Sequence, residues 1–220
     1  MSFGALSGNA ILALNKGARK GGFAHDTGEG GISRYHRQGG GDLIFQIASG
    51  YFGCRNPDGS FSRERFAELS ADPQVRMIEI KLSQGAKPGR GGVLPGVKVS
   101  ADIAHARGVP EGIDCISPST HSEFRDVSEL LDFVERVAEA TGLPVGIKSA
   151  VGQEAFWIEL ADRMASEARG VDFITIDTHP VLMDISSLGG DYCLAAEMLG
   201  QAALLGPDHE AERVLDRVVD

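Results

Sequence analysis

Between Asp126 and Asp177 the chain alternates twice between helical and strand-like periodicity, and this alternation limits the fold more than any other feature of its 220 residues. The stretch "DVSELLDFVERVAEATG" puts Leu130, Leu131, Phe133, Val134 and Val137 at helical spacing, and "LPVGIKSAVG" is an apolar run of strand length. Next, "QEAFWIELADRMASEARG" reads as a helix closed by Gly170, with "FWIEL" packing inward, and "VDFITID" as another strand. Crossovers long enough to hold a helix imply parallel strands covered by helices. In such folds ligands gather at the C-terminal ends of the strands.

The same grammar extends upstream. Ser7 is placed to cap a helix over about 8–19, with Gly21 or Gly22 as its stop. "LIFQIAS", from Leu43, has strand length, and Cys54 to Pro73 reads as a surface excursion holding a turn and a short polar helix. In "RMIEIKLSQ", Ile78, Ile80 and Leu82 share one face while Met77, Glu79 and Lys81 share the other. Ser100 opens a helix through Arg107 that Gly108 stops, and "GIDCISP" is a further strand. The polar residues closing these strands are Gln46, Lys81, Lys148 and Asp177, which marks one rim of the sheet as chemically active.

"KLSQGAKPGRGGVLPGVKVS", Lys81 to Ser100, concentrates glycine and positive charge in a chain of formal charge -10. That overall charge argues against a broad nucleic-acid or anionic-membrane surface, so an anionic ligand has to be met by a local cluster. Lys81, Lys87 and Arg107 form such a set, because arginine grips a carboxylate with two prongs and lysine adds a mobile charge. Cys54, Cys115 and Cys193 are too far apart for a zinc or iron–sulfur spacing and are expected to be reduced thiols. His25, His36, His105 and His121 have no metal-like spacing and read as structural or surface residues. No dinucleotide or Walker fingerprint is present, and no apolar run reaches membrane-span length; a cytoplasmic protein is expected.

"MSFGALS", "HDTGEGGISRYH", "ASGYFGCRN", "IEIKLSQGAKPGRGGVLPGVKVS", "ARGVP" and "ISPSTH", in this order, resemble the FMN-binding synthase domain of the glutamate synthase family, over roughly Met1 to Asp177. The resemblance implies a (β/α)8 TIM-type barrel that carries FMN at its strand ends. There, 2-oxoglutarate and ammonia give 2-iminoglutarate, which is reduced to L-glutamate. By the same resemblance, Met1, Ser2, Gly4, Gln46, Lys81 and Lys148 match flavin contacts, with Lys81 favouring the reduced ring. Lys87 and Arg107 match residues that hold the 2-oxoglutarate carboxylates, and Glu29 matches the acid of the "TGEGG" loop, with a role in proton transfer.

The chain departs from the family pattern in several places. Asp177 is followed by "THPVLMDISSLGGDYC" instead of a glycine-rich loop that grips the FMN phosphate, and Met1 falls inside the expected first strand. An incomplete barrel of five to six βα units over 1–177 is therefore expected, with a diverged helical segment over 178–220. Val93 stands where the family commonly has glutamine at 2-oxoglutarate. The iron–sulfur cysteine cluster and an amidotransferase nucleophile are absent, so ammonia and electrons would come from elsewhere, the latter from a donor protein or reductase subunit. Two other readings stand beside the enzyme: a non-catalytic partial barrel acting by association, for instance as a homo-oligomer, and an anion-binding module without redox chemistry.

Overall fold

The computed structural model describes residues 1–86 and 90–177. Helix α1 (Gly8–Gly21) starts where Ser7 Oγ accepts from the Ala10 amide and ends at Gly22, whose positive φ of 73° suits glycine. A two-residue strand β1 (His25–Asp26) and a one-turn helix α2 (Arg34–Gln38) follow, both too short to leave a periodic signal. Then come β2 (Leu43–Ile47), α3 (Arg63–Ser70) and β3 (Val75–Lys81). Beyond these lie β4 (Gly92–Leu94), α4 (Ala101–Arg107), β5 (Cys115–Ser117) and α5 (Val127–Thr141). The described part closes with β6 (Val145–Ser149), α6 (Glu154–Glu167) and β7 (Ile174–Ile176).

Strands β1, β2, β3, β6 and β7 form one sheet in that spatial order, and every neighbouring pair is parallel. The α/β class and the incomplete, TIM-type curled sheet expected from the sequence are what the chain adopts. Register places Phe45 beside Ile78 and Ile80 beside Ile147, so the apolar side chains of three strands share one face. That face packs against α3, α5 and α6 in one continuous core containing Leu130, Leu131, Phe133 and Trp157. Burying each such side chain is worth about 1.5–3 kcal/mol, which makes α5 the main helical clamp on the sheet. The opposite face is polar, carrying Asp26, Gln46, Glu79, Lys81, Lys148 and Thr175.

Some expectations are corrected. Strand β5 does not join the parallel sheet; it pairs antiparallel with β4 in a separate ribbon, Val93 opposite Ile116, because the glycine-rich stretch before α4 supplies its own partner. The excursion after Cys54 holds the expected turn and short polar helix with an exposed outer side, but its inner side is core: Cys54 and Phe66 are buried in the main cluster, and Phe61 packs against it. Helix α6 ends before Gly170, at Ala168 in the left-handed region (φ 52°). Ser100 precedes α4 without a side-chain cap bond. Residues 1–6 form no strand of the sheet, only an isolated bridge between Phe3 and Leu6. Residues 178–220, expected to be helical, lie outside the described residues, as does Lys87. Among the described residues no helix is long and apolar enough to cross a membrane.

Candidate functional site

Strand alternation brings the charged residues together. Lys81 and Lys148 are register partners at the C-terminal ends of β3 and β6, so both ammonium groups rise from the polar face side by side. Each has its own counter-ion: Lys81 Nζ lies 3.2 Å from Glu29 Oε2, and Lys148 Nζ lies 3.4 Å from Asp177 Oδ2. Lys81 also donates to Gln84 Oε1 at 3.0 Å. The end of β3 is pinned from behind, where His121 Nε2 reaches the Lys81 carbonyl at 2.8 Å and Nδ1 meets the Tyr51 hydroxyl at 3.1 Å. Since a carbonyl only accepts, His121 carries its proton on Nε2, and its Nδ1 accepts a hydrogen bond from the Tyr51 hydroxyl. Burial pushes the His121 imidazole down to about 4, so it is a neutral strut.

Arg107 is 5% exposed and forms no ion pair among the described residues. Its Nη2 donates to Ser2 Oγ (3.2 Å) and to the Phe3 carbonyl (3.3 Å), its guanidinium lies 4.9 Å from the centre of the Phe52 ring, and Nε is enclosed with no partner. Desolvation lowers its pKa. Cys115 and Glu29 offset part of that desolvation, and an anion arriving beside the guanidinium would offset more. The "TGEGG" turn links it to Lys81. Glu29 faces the lysine, while a methyl group on Gly30 would lie 3.2 Å from Arg107 Nη2 and 2.5 Å from Ser2 Oγ. Gly28, with φ 66°, lets Ser2 approach equally closely.

A narrow cleft of about 30 Å³ opens here, lined by Glu29, Ser49, Lys81, Ser83, Arg90 and Ser117 among others. A larger cavity of about 600 Å³, lined by Leu82, His121, Phe124 and Phe156 among others, opens beside the N-terminal ends of α5 and α6 and is touched by none of the charged rim residues. The sequence-derived set thus divides. Lys81 and Lys148 share the sheet rim, Glu29 pairs with Lys81, and Arg107 bonds Ser2 beside the neighbouring Gly30. Gly4 turns away, packed on Leu94 and Ile103, and Gln46 lies deeper on the same polar face, 2% exposed. The Met1 carbonyl is tied to His36 Nε2 at 2.9 Å. Sequence reasoning missed Asp26 and the partnership of Tyr51 with His121. Neither has a spacing signal, since the contacts join segments that are far apart in the chain.

The family model for the conserved region in glutamate synthase matches residues 1–180. The chain belongs to the glutamate synthase family. A glutamate synthase large subunit-like protein, YerD, of Bacillus subtilis is 44% identical over 178 residues, which cover 80% of this chain and 34% of that protein. An archaeal-type glutamate synthase [NADPH] of Thermotoga maritima is 38% identical over 180 residues, covering 80% and 32% respectively. For an archaeal glutamate synthase [NADPH] of Methanocaldococcus jannaschii the figures are 41% over 157 residues, 70% and 28%. This glutamate synthase family chain therefore spans about a third of the length of the curated relatives it matches. The matched region takes in the whole charged rim.

Proposed function

We propose that this chain forms part of an FMN-dependent oxidoreductase site of glutamate synthase type, acting on 2-oxoglutarate and ammonia. The observation that carries the reading is a lysine pair in register at the C-terminal ends of β3 and β6, with the Glu29–Gly30 turn running from Lys81 to the buried Arg107, which has no ion pair among the described residues. The donor set fits both ligands. Two ammonium groups suit the electron-rich edge of a reduced flavin, and an unsatisfied guanidinium suits a dicarboxylate. When bound, FMN supplies the hydride that converts 2-iminoglutarate to L-glutamate. Ser2, Lys81, Lys148 and Gln46 would hold the ring. Arg107 and Lys87 would hold the substrate carboxylates. Glu29, in contact with Lys81, is the group positioned to take or give a proton at the rim. Electrons would reach the site from a reductase partner.

The test uses the full 220-residue chain. With FMN added, retained flavin absorbance through gel filtration is expected, together with 2-oxoglutarate binding by calorimetry that weakens about 10- to 100-fold in Arg107→Ala. No retained flavin overturns the redox reading. If 2-oxoglutarate still binds, the rim is an anion site without redox chemistry.

A further inference from the structure

Gln46 is held by more bonds than a strand-end glutamine needs. Its backbone amide donates to Thr27 Oγ1 at 3.1 Å, and its Nε2 donates to Glu79 Oε1 at 2.5 Å and lies 3.5 Å from Asp26 Oδ2. The other oxygen of Glu79 accepts from Thr175 Oγ1 at 2.6 Å. That last bond skips a strand: β6 lies between, and its residue in register with Glu79 is Gly146, which has no side chain to intervene. Glu79 itself is 3% exposed. Gln46 meets Glu79 through its amide nitrogen while Thr175 gives its hydroxyl to the other carboxyl oxygen, so the Gln46 carbonyl oxygen faces away. Gln46 Oε1 has no partner among the described residues, yet it is not one of the enclosed unsatisfied atoms, which are His25 Nδ1, Ser70 Oγ and Arg107 Nε. The oxygen is therefore not fully enclosed, although Gln46 as a whole is 2% exposed, and it lies on the same face as Lys81 and Lys148.

We propose that Glu79 is a positioning residue that locks the Gln46 carboxamide with its carbonyl outward, so that this face selects a heterocycle carrying an N–H donor next to carbonyl oxygens. The lone acceptor takes the N–H, and the two ammonium groups take the carbonyls. The nature of the ring as a flavin rests on the function proposed above; the locking of the amide does not. Thr175 and Asp26 act on the ligand only through Glu79 and Gln46. A short hydrogen bond on each oxygen of Glu79, at 2.5 Å and 2.6 Å, fixes the orientation of its carboxyl group, with Asp26 lying beside it.

Two measurements on the full chain separate these layers. With glutamine side-chain amides labelled with nitrogen-15, the Gln46 amide protons are expected to exchange at least about tenfold more slowly in the wild type than in Glu79→Gln, where either end of the amide can face its neighbour. Thr175→Val, which keeps the carboxylate, should fall between them. Lumiflavin and 3-methyllumiflavin, the latter lacking the ring N–H donor, should then differ about tenfold in affinity for the wild type and little for Glu79→Gln. The added methyl bulk is the same in both proteins, so the change in ratio isolates the amide. Exchange at the free-glutamine rate in the wild type, or no change in Glu79→Gln, overturns the positioning role. Equal affinity of the wild type for both rings overturns the selection of an N–H donor. Slow exchange in a protein that binds neither ring sustains the role of Glu79 and overturns the flavin reading instead.

Discussion

Lys81 and Lys148 stand opposite each other in register, and each ammonium group has its own carboxylate, Glu29 at 3.2 Å and Asp177 at 3.4 Å. Two like charges on adjacent strands repel. The two carboxylates offset that repulsion. Lys81 is the more enclosed, with its side chain 11% exposed against 24% for Lys148, so it should contribute more per charge.

The first prediction follows from that difference. In Lys81→Met the two-electron reduction potential of bound FMN should fall by on the order of 30 mV, because a cation near the ring favours its reduced, anionic form. Lys148→Met should shift it less. Spectroelectrochemical titration checks both, and an unchanged potential in Lys81→Met removes Lys81 from the flavin's surroundings.

A second prediction concerns acid stability. Burial holds His36 and His121 down at about 4, against an ordinary value of 6.5 that the unfolded chain recovers. The unfolded chain therefore binds more protons between these values, so the stability these two groups allow is complete above about pH 6.5 and is lost as pH falls towards 4. His25, also at about 4, acts in the same direction. Asp26 acts the other way: burial and the neighbouring Glu79 push it up to about 6, so its protonated form favours the fold at low pH and that contribution is lost as pH rises through 6. The histidines prevail, with a net loss on the order of 2–4 kcal/mol between pH 7 and pH 5. Urea titration followed by fluorescence of Trp157, the chain's one tryptophan and 3% exposed, measures this; a midpoint that does not move with pH counts against it.

The sequence made the main sheet legible because alternation survives in single strands. The split of Ile78 and Ile80 from Glu79 and Lys81 is visible in seven residues, and the structure keeps it. Helices α1, α4 and α5 were equally plain from their periodicity and terminal glycines. What could not be read was pairing between distant segments. The sequence around Cys115 looks like any other strand, and only tertiary contact decides that it joins the ribbon and not the sheet. Strand β1 is two residues long and exists only through its register with Leu43 and Ile44. In the site, Lys81 and Arg107 stood out as cations at element ends, while Glu79 looked like an ordinary alternating acid until Thr175 and Gln46 closed around it.

The strut behind Lys81 gives a third prediction. In Tyr51→Phe the Glu123 amide, 3.3 Å from the lost hydroxyl, and His121 Nδ1 both lose their partner. A cost of about 1–3 kcal/mol in urea unfolding is expected. His121 is then free to leave the Lys81 carbonyl, so exchange protection at the end of β3 should fall locally as well. Full stability together with unchanged protection would show that the aromatic packing of Tyr51 on His121 suffices without the hydroxyl.

A last prediction sets one substitution against itself at two glycines. Gly17 lies in α1 with open space where a methyl group would go, so Gly17→Ala removes backbone freedom from the unfolded chain and meets nothing in the folded one. It should stabilise by about 0.5–1 kcal/mol. Gly146 lies in β6 on the polar face, where a methyl group would come 2.4 Å from the Phe173 ring. The residue also sits between Glu79 and Thr175 in the sheet, so a shift of β6 that relieved the clash would strain their bond. Gly146→Ala should therefore destabilise by about 1–3 kcal/mol. It should also loosen the Gln46 amide, because a displaced Thr175 releases one oxygen of Glu79. Urea titrations of the two variants read the opposite signs directly. A neutral Gly146→Ala would mean that the strand has room the geometry denies, and the side-chain-free passage between Glu79 and Thr175 would lose its significance.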